Sequence, residues 1–177
     1  MSDQTGFTGL FEEHYEEVLR YAWRRVGAAD APDVAAETFR IAWEKYDRLP
    51  HDQPLPWLYT TARHVVSNHI RSGTRRDGLA ASLAEGLLRH GAESDHAAIV
   101  AARHAALAAL DNLNEDDREL VLLLAWEGLD LRQSAKAVGC SWPTARMRLH
   151  RARKRLHRLL TADGQATAAH SYLEGLT

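Results

Sequence analysis

A single cysteine, Cys140, stands among the 177 residues, so the chain can form no internal disulfide and no cysteine-based zinc site. Long apolar runs are missing as well. The longest, Leu120 to Trp126, falls well short of the roughly 18 residues a membrane span requires. The opening MSDQTGFTGL has neither the basic nor the apolar stretch of an export signal. Together these absences predict a soluble, cytoplasmic protein with no membrane insertion of its own. β-branched aliphatics are scarce: Val plus Ile number 11 against 53 for Ala plus Leu, and strands favour the former while helices favour the latter. The predicted fold is therefore all-α. The ten histidines include no HExxH, no pair at i and i+4, and no trio with carboxylates at metal-ligand spacing. There is no glycine-rich phosphate loop. Neither a metal site, nor a cofactor, nor a catalytic site is expected, and Cys140, in a turn between two helices, reads as a small packing residue.

What is present is 45% hydrophobic and 26% charged residues, the composition of a folded chain. Length allows one medium domain or two small ones. The net charge of −2 hides a segregation. Met1 to Gln53 carries 11 acidic and 6 basic residues, whereas Pro54 to Arg76 carries four arginines and no acid. Asp111 to Asp130 holds seven acids and one arginine, and Arg132 to Leu160 holds nine basic residues and no acid. Two acid-free basic blocks in an acidic chain predict two footprints for a polyanion, because phosphates are neutralised by local Lys and Arg and not by average charge.

Helical punctuation divides the chain. Phe7, Leu10, Phe11, Tyr15, Val18, Leu19, Ala22 and Val26 form a stripe that Gly27 stops. Asp30, with Pro32 in the first turn, is placed to cap a second helix carrying Val34, Thr38, Ile41 and Ala42 on one face and ending near Arg48. Three prolines make Leu49 to Pro56 a stiff loop. A third helix then runs to about Arg71. From Ser72 to Asp95 periodicity weakens, with one short amphipathic helix suggested by Leu79, Leu83, Leu87 and Leu88. It resumes over Asp95 to Asp111. Asn114 caps the next helix, Asp130 and Gln133 form a capping box for a short one stopped by Gly139, and Ser141 caps a long one to about Leu160.

The last two helices with their glycine-containing turn have the pattern of a DNA-binding helix-turn-helix. Ala145, Leu149, Ala152, Leu156 and Leu159 make its inward stripe. A recognition helix reads base edges with its N-terminal turns, which selects Arg146, Met147, His150 and Arg151; Arg148, Arg153, Lys154, Arg155 and Arg158 lie to the side or further along and suit phosphates. On the third helix, Leu58, Ala62, Val65 and Val66 point inward. Thr60, His64, Ser67 and Arg71 remain as a polar stripe, and beside the stiff loop such a face suits the exposed base edges of a single strand.

Asp33-Val-Ala-Ala-Glu-Thr-Phe-Arg-Ile-Ala-Trp43 followed by Pro54-Leu-Pro-Trp-Leu-Tyr-Thr-Thr-Ala-Arg63 resembles region 2 of the extracytoplasmic-function sigma factors of bacterial RNA polymerase. Leu113-Asn-Glu-Asp-Asp-Arg-Glu-Leu120, Trp126-Glu-Gly128 and Thr144-Ala-Arg-Met-Arg-Leu-His-Arg-Ala-Arg153 resemble region 4 of the same family. The resemblance implies two small helical domains, residues 1–76 and 98–160, joined by a flexible linker over 77–97 and followed by a tail over 161–177. It implies a specificity subunit that directs core polymerase to promoters. Its second helix would dock on the clamp coiled coil of the largest polymerase subunit through Asp33, Glu37, Thr38, Arg40 and Glu44, with Phe39 and Trp43 in the core. Minus-ten recognition, with capture of a non-template base, would fall to Leu49 and the loop to Gln53, with Thr60, His64, Ser67, Asn68 and Arg71. Minus-thirty-five recognition of duplex DNA would fall to Thr144, Arg146, Met147, Arg148, His150, Arg151, Lys154 and Arg155, region 4 also meeting the polymerase flap. An anti-sigma factor is a further implied partner.

The chain departs from the family pattern at Ala36, where glutamine is usual, at His64, where asparagine is frequent, and at Trp142, Pro143 and Met147, where smaller residues are usual. These departures imply a shifted promoter preference. The competing reading is a helix-turn-helix regulator with an N-terminal helical ligand or dimerisation domain, which leaves the basic block Pro54 to Arg76 without a task.

Overall fold

The computed structural model describes residues 2–72 and 105–162, and the chain separates into two compact units, one within Met1–Gly86 and one within Leu87–Thr177. Every element among the described residues is helical. The expected linker, the short helix suggested near Leu83 and the tail beyond Ala162 lie outside the described residues.

In the first unit, α1 (Ser2–Val26), α2 (Ala31–Glu44) and α3 (Pro54–Ser72) all pack on one another. α1 begins ahead of the Phe7 stripe and stops at Gly27, whose φ of +86° is left-handed backbone that an L side chain would strain. The Gly27 carbonyl accepts from Ala31 N–H at 3.1 Å, which turns the chain directly into α2. Asp30 occupies the cap position without a side-chain cap bond, because its backbone is already helical at φ −98°, ψ −14°. Its carboxylate instead faces His69 Nε2 on α3 at 3.2 Å, tying the start of α2 to the end of α3. α2 ends at Glu44 and a 3₁₀ turn, Tyr46–Arg48, replaces the expected last helical turn. The core draws Val18, Tyr21 and Ala22 from α1, Val34, Ala35 and Phe39 from α2, and Leu58, Tyr59 and Ala62 from α3. Each large apolar side chain buried there contributes about 1.5–3 kcal/mol relative to exposure. Arg25, also buried, lies over the Tyr21 ring at 3.4 Å and donates from Nη1 to the Tyr21 carbonyl at 3.0 Å, while Tyr21 and Tyr59 stack at 5.0 Å.

In the second unit, residues 105–111 (α4) precede α5 (Glu115–Ala125), α6 (Leu131–Val138) and α7 (Trp142–Ala162). α5, α6 and α7 pack pairwise. The expected caps are all formed. Asn114 accepts from Asp117 N–H at 2.8 Å. Asp130 accepts from Gln133 N–H at 2.8 Å while Gln133 Oε1 accepts from Asp130 N–H at 2.9 Å. Ser141 Oγ accepts from Thr144 N–H at 3.3 Å. Gly139, at φ +78°, ends α6 in the left-handed conformation, and Cys140 N–H donates to the Ala135 carbonyl at 2.9 Å. Leu120 and Leu123 of α5, Ala135 and Val138 of α6, and Ala145, Leu149, Ala152 and Leu156 of α7 fill the core. At the end of the α7 stripe Leu160 is buried and Leu159 only half-buried, which places the last contact one residue later than expected.

Candidate functional site

Three surfaces carry the residues selected from sequence. The first is the outer face of α2. Arg40 Nε and Nη2 donate to the two carboxylate oxygens of Glu37, each at 2.7 Å, and Nη1 donates to Glu44. Pairs at i,i+3 and i,i+4 meet on a helix surface, so this ladder follows directly from the local sequence. The hydrogen bonds from Arg40 hold the Glu37 carboxyl below its ordinary value of 4.5, and Glu37 in turn raises Arg40. Asp33 is exposed on the same helix. Two expectations on α2 are reversed. Thr38 is 0% exposed and donates from Oγ1 to the Val34 carbonyl at 2.7 Å, so it is an interior residue with no surface to offer a partner. Trp43, expected in the core, is 48% exposed. Phe7, itself half-buried, packs edge-on against it at 5.0 Å and lies 5.9 Å from Tyr46 and 6.5 Å from the buried Phe39, also edge-on.

The second surface belongs to α3 and the loop before it. His64, Asn68 and Arg71 are exposed and share one helix face at spacings of four and three; Ser67 beside them is half-buried. Arg71 Nε donates to the Ser67 carbonyl at 3.0 Å. Thr60 is half-buried and already donates its hydroxyl proton to the Pro56 carbonyl at 2.7 Å, which leaves it only acceptor capacity. Leu49 is 3% exposed and therefore packs inside the unit, contrary to its assignment as a strand contact; an apolar side chain at the foot of the loop gains more from burial than from facing water. His51, Asp52 and Gln53 are exposed, with His51 edge-on to Tyr46 at 4.7 Å. The stiff loop thus presents its middle and buries its start.

The third surface is α7. Thr144, Arg146, Met147, His150, Arg151, Lys154 and Arg155 are all exposed, and Met147 reaches 63%. Thr144 shares a 2.8 Å hydroxyl contact with Ser141 and so participates in the cap. Arg148 departs from expectation. Its Nη1 donates to Asp116 Oδ2 at 2.8 Å, its Nε lies 3.9 Å from Asp117 Oδ1, and its side chain is only 25% exposed. The Asp116 hydrogen bond raises the guanidinium further above its ordinary value. Arg148 is therefore held as a strut between α5 and α7 by the acidic first turn of α5, 32 residues away, and is the least exposed of the α7 residues assigned from sequence to the minus-thirty-five element. Arg132 and Trp142 are not among the contacts expected from sequence. Both are exposed, and Trp142, the first residue of α7, lies between the reach of Arg132 and of Arg146. The acid-free run from Arg132 is the signal that points to them.

Comparison with known proteins accounts for both units. Residues 10–76 match the family model of sigma-70 region 2, and residues 103–156 match that of sigma-70 region 4. The chain is 32% identical over 141 residues to the ECF RNA polymerase sigma factor EcfG of Rhodopseudomonas palustris, covering 78% of this chain and 76% of that protein. It is 29% identical over 159 residues to the ECF RNA polymerase sigma factor SigL of Mycobacterium tuberculosis, covering 88% and 89% of the two chains. Among solved structures, CnrH in complex with the cytosolic domain of CnrY superposes with a TM-score of 0.63 at 25% identity, covering 90% of each chain. With both sigma regions matched in order and relatives aligned over most of their length, the chain belongs to the extracytoplasmic-function sigma factors of the sigma-70 family.

Proposed function

We propose that this sigma factor divides its work among the three surfaces as follows. Asp33, Glu37, Arg40 and Glu44 of α2 dock on the clamp coiled coil of the largest core polymerase subunit. His64, Asn68 and Arg71 of α3, with Ser67 and the exposed loop residues His51 to Gln53, hold the displaced non-template strand of the minus-ten element. Arg146, Met147, His150 and Arg151 of α7 read base edges of the minus-thirty-five duplex, with Lys154 and Arg155 on phosphates, while the region 4 unit meets the polymerase flap. The two units act as domains over 1–76 and 98–160, with 77–97 between them and 161–177 as a tail. The chain supplies specificity and no catalytic group, and it works where promoter DNA and polymerase are, in the cytoplasm. An anti-sigma factor is a further partner in this reading; that CnrH is solved in complex with the cytosolic domain of CnrY supports binding of an additional protein.

The observation that carries this division is the contrast in charge and exposure between α3 and α7. A face of short polar side chains suits unpaired bases, whereas an acid-free arginine face suits duplex phosphates and guanine edges. The test is run-off transcription by purified core polymerase and this chain on a promoter library, with permanganate probing of thymines near the minus-ten element. Polymerase-dependent opening that is suppressed by substitutions at His64, Asn68 and Arg71, more strongly than initial closed binding is, is the expected result. Tight, symmetric binding to a palindrome without polymerase, and no strand opening, would reject it.

A further inference from the structure

Arg132, the second residue of α6, and Arg146, in the second turn of α7, converge on one aromatic ring. Their guanidinium carbons lie 5.4 Å and 5.7 Å from the centroid of Trp142, inside the roughly 6 Å over which a ring face attracts a cation. All three residues are exposed. Neither arginine has an acidic partner among the described residues, in contrast to Arg118, which pairs with Asp111, and Arg148, which pairs with Asp116. Trp142 is 38% exposed and stands ahead of the inward stripe of α7, which begins at Ala145. Two like charges are thus gathered at one exposed ring with nothing among the described residues to neutralise them.

Two exposed cations at one ring favour the approach of an anion. The positive charge at this end of α7 also comes chiefly from the arginines and not from open backbone amides, because Pro143 has no N–H and the Thr144 N–H is engaged by Ser141. In a helix-turn-helix the first helix crosses the DNA backbone while the second enters the major groove. Arg132 stands on the first helix and Arg146 on the second. An arginine side chain is long and loses rotamer freedom on binding, so a ring that restrains the guanidinium beforehand reduces that loss.

We propose that Arg132, Trp142 and Arg146 act as one unit on promoter DNA: Arg132 binds a backbone phosphate beside the major groove, Arg146 reads a base edge, and Trp142 is the positioning residue that holds both guanidiniums. The proposal rests on the reading of α7 as the duplex-recognition helix. It gives this chain a specificity determinant at a position where smaller residues are usual in the family.

The test uses the full chain assembled with core polymerase. Binding is measured across a salt series on a promoter duplex that the wild-type holoenzyme selects from a library, and on a random duplex of equal length. Arg132→Ala should weaken both duplexes similarly and lower the salt slope by about one. Trp142→Ala should reduce preference for the selected duplex by about tenfold, the size of one lost base contact. Trp142→Phe, which keeps an aromatic face, should restore most of that preference. A Trp142→Ala, Arg146→Ala double variant should discriminate no worse than Arg146→Ala alone. An unchanged salt slope in Arg132→Ala, or full discrimination in Trp142→Ala, overturns the proposal. Arg151→Ala, measured in parallel, separates the two levels. If it weakens selective binding while the Trp142 and Arg132 variants do not, only the three-residue unit falls. If Arg151→Ala is also without effect, the duplex reading of α7 falls and takes the unit with it.

Discussion

The outer face of α2 and the outer face of α7 both carry arginines, and they treat them oppositely. On α2, Arg40 is clasped by Glu37 and Glu44, so the face is charged but locally balanced. On α7, Arg146, Arg151 and Arg155 stand on a helix with no acid, and Arg148 is drawn off by Asp116 of α5. A balanced face suits a protein partner, where unpaired charge buried at an interface is costly. An unbalanced face suits a polyanion, because released counterions favour binding wherever local cations meet phosphate. One acidic chain can thus serve two kinds of macromolecule: the acids are placed to neutralise one arginine surface and withheld from the other.

Disrupting the support beneath the unbalanced face gives the largest expected effect. Leu149 is buried on the inner face of α7, and Leu149→Ala should cost about 2–5 kcal/mol. Urea unfolding followed by circular dichroism should show the second unit melting early while the first keeps its wild-type transition; a single unshifted transition would mean that α7 does not depend on this core.

The next effect sharpens the division within α7 itself. Arg151→Ala should lose about 1–3 kcal/mol of holoenzyme binding, chiefly on a selected minus-thirty-five sequence, whereas Arg155→Ala should weaken all duplexes alike and reduce the salt slope by about one. Equal losses on selected and random duplexes for both variants would contradict the assignment of Arg151 to bases.

A smaller effect follows from breaking the strut that removes Arg148 from the basic face. Asp116→Asn weakens a charge-assisted hydrogen bond at a partly exposed pair, so a loss of about 1 kcal/mol in unfolding free energy is expected. The freed Arg148 should at the same time raise affinity for random duplex, measured by fluorescence anisotropy at low salt. Reduced affinity on both duplex types would show that Arg148 already contacts DNA in the wild type.

The smallest effect concerns the balanced face. Because Arg40 holds the Glu37 carboxyl below 4.5, the contribution of Glu37 to stability is fully present above that value and is lost as pH falls through the lowered folded-state value. An NMR titration should place the Glu37 midpoint below the ordinary glutamate range in the wild type and within it in Arg40→Ala. Since these side chains are exposed, the unfolding midpoint near neutral pH should barely move, while affinity for core polymerase should drop. Unchanged polymerase affinity in the folded variant would dissociate the ladder from docking.

Elements governed by near neighbours along the chain are legible in the sequence alone. The capping box of Asp130 and Gln133, the Asn114 cap, the left-handed stop at Gly139 and the Ser141 cap join groups three or four residues apart or constrain a single φ angle, and the helix-turn-helix follows from them. The Glu37–Arg40–Glu44 ladder is of the same kind. Legibility fails where two elements compete for one residue. Thr38 and Trp43 lie five positions apart on α2, and the pattern alone places Thr38 on the face it shares with Val34 without saying whether that face is covered. Phe7, brought in by α1, packs edge-on against Trp43 and Phe39, and Trp43 stays at the surface.

By itself the sequence determined an all-helical chain, its stops and caps, its two acid-free basic segments and the family to which it belongs. Those properties depend on backbone propensity, on hydrogen bonds spanning a single turn and on the order of motifs. Tertiary structure alone decided that Leu49 turns inward, that Asp30 faces His69 and not its own helix amide, that Arg148 belongs to Asp116, and that Arg132 meets Arg146 at Trp142. Each of those outcomes joins groups from different elements or sets which side of a segment is covered, and desolvation and charge pairing are settled by what lies nearby in space, which no local pattern encodes.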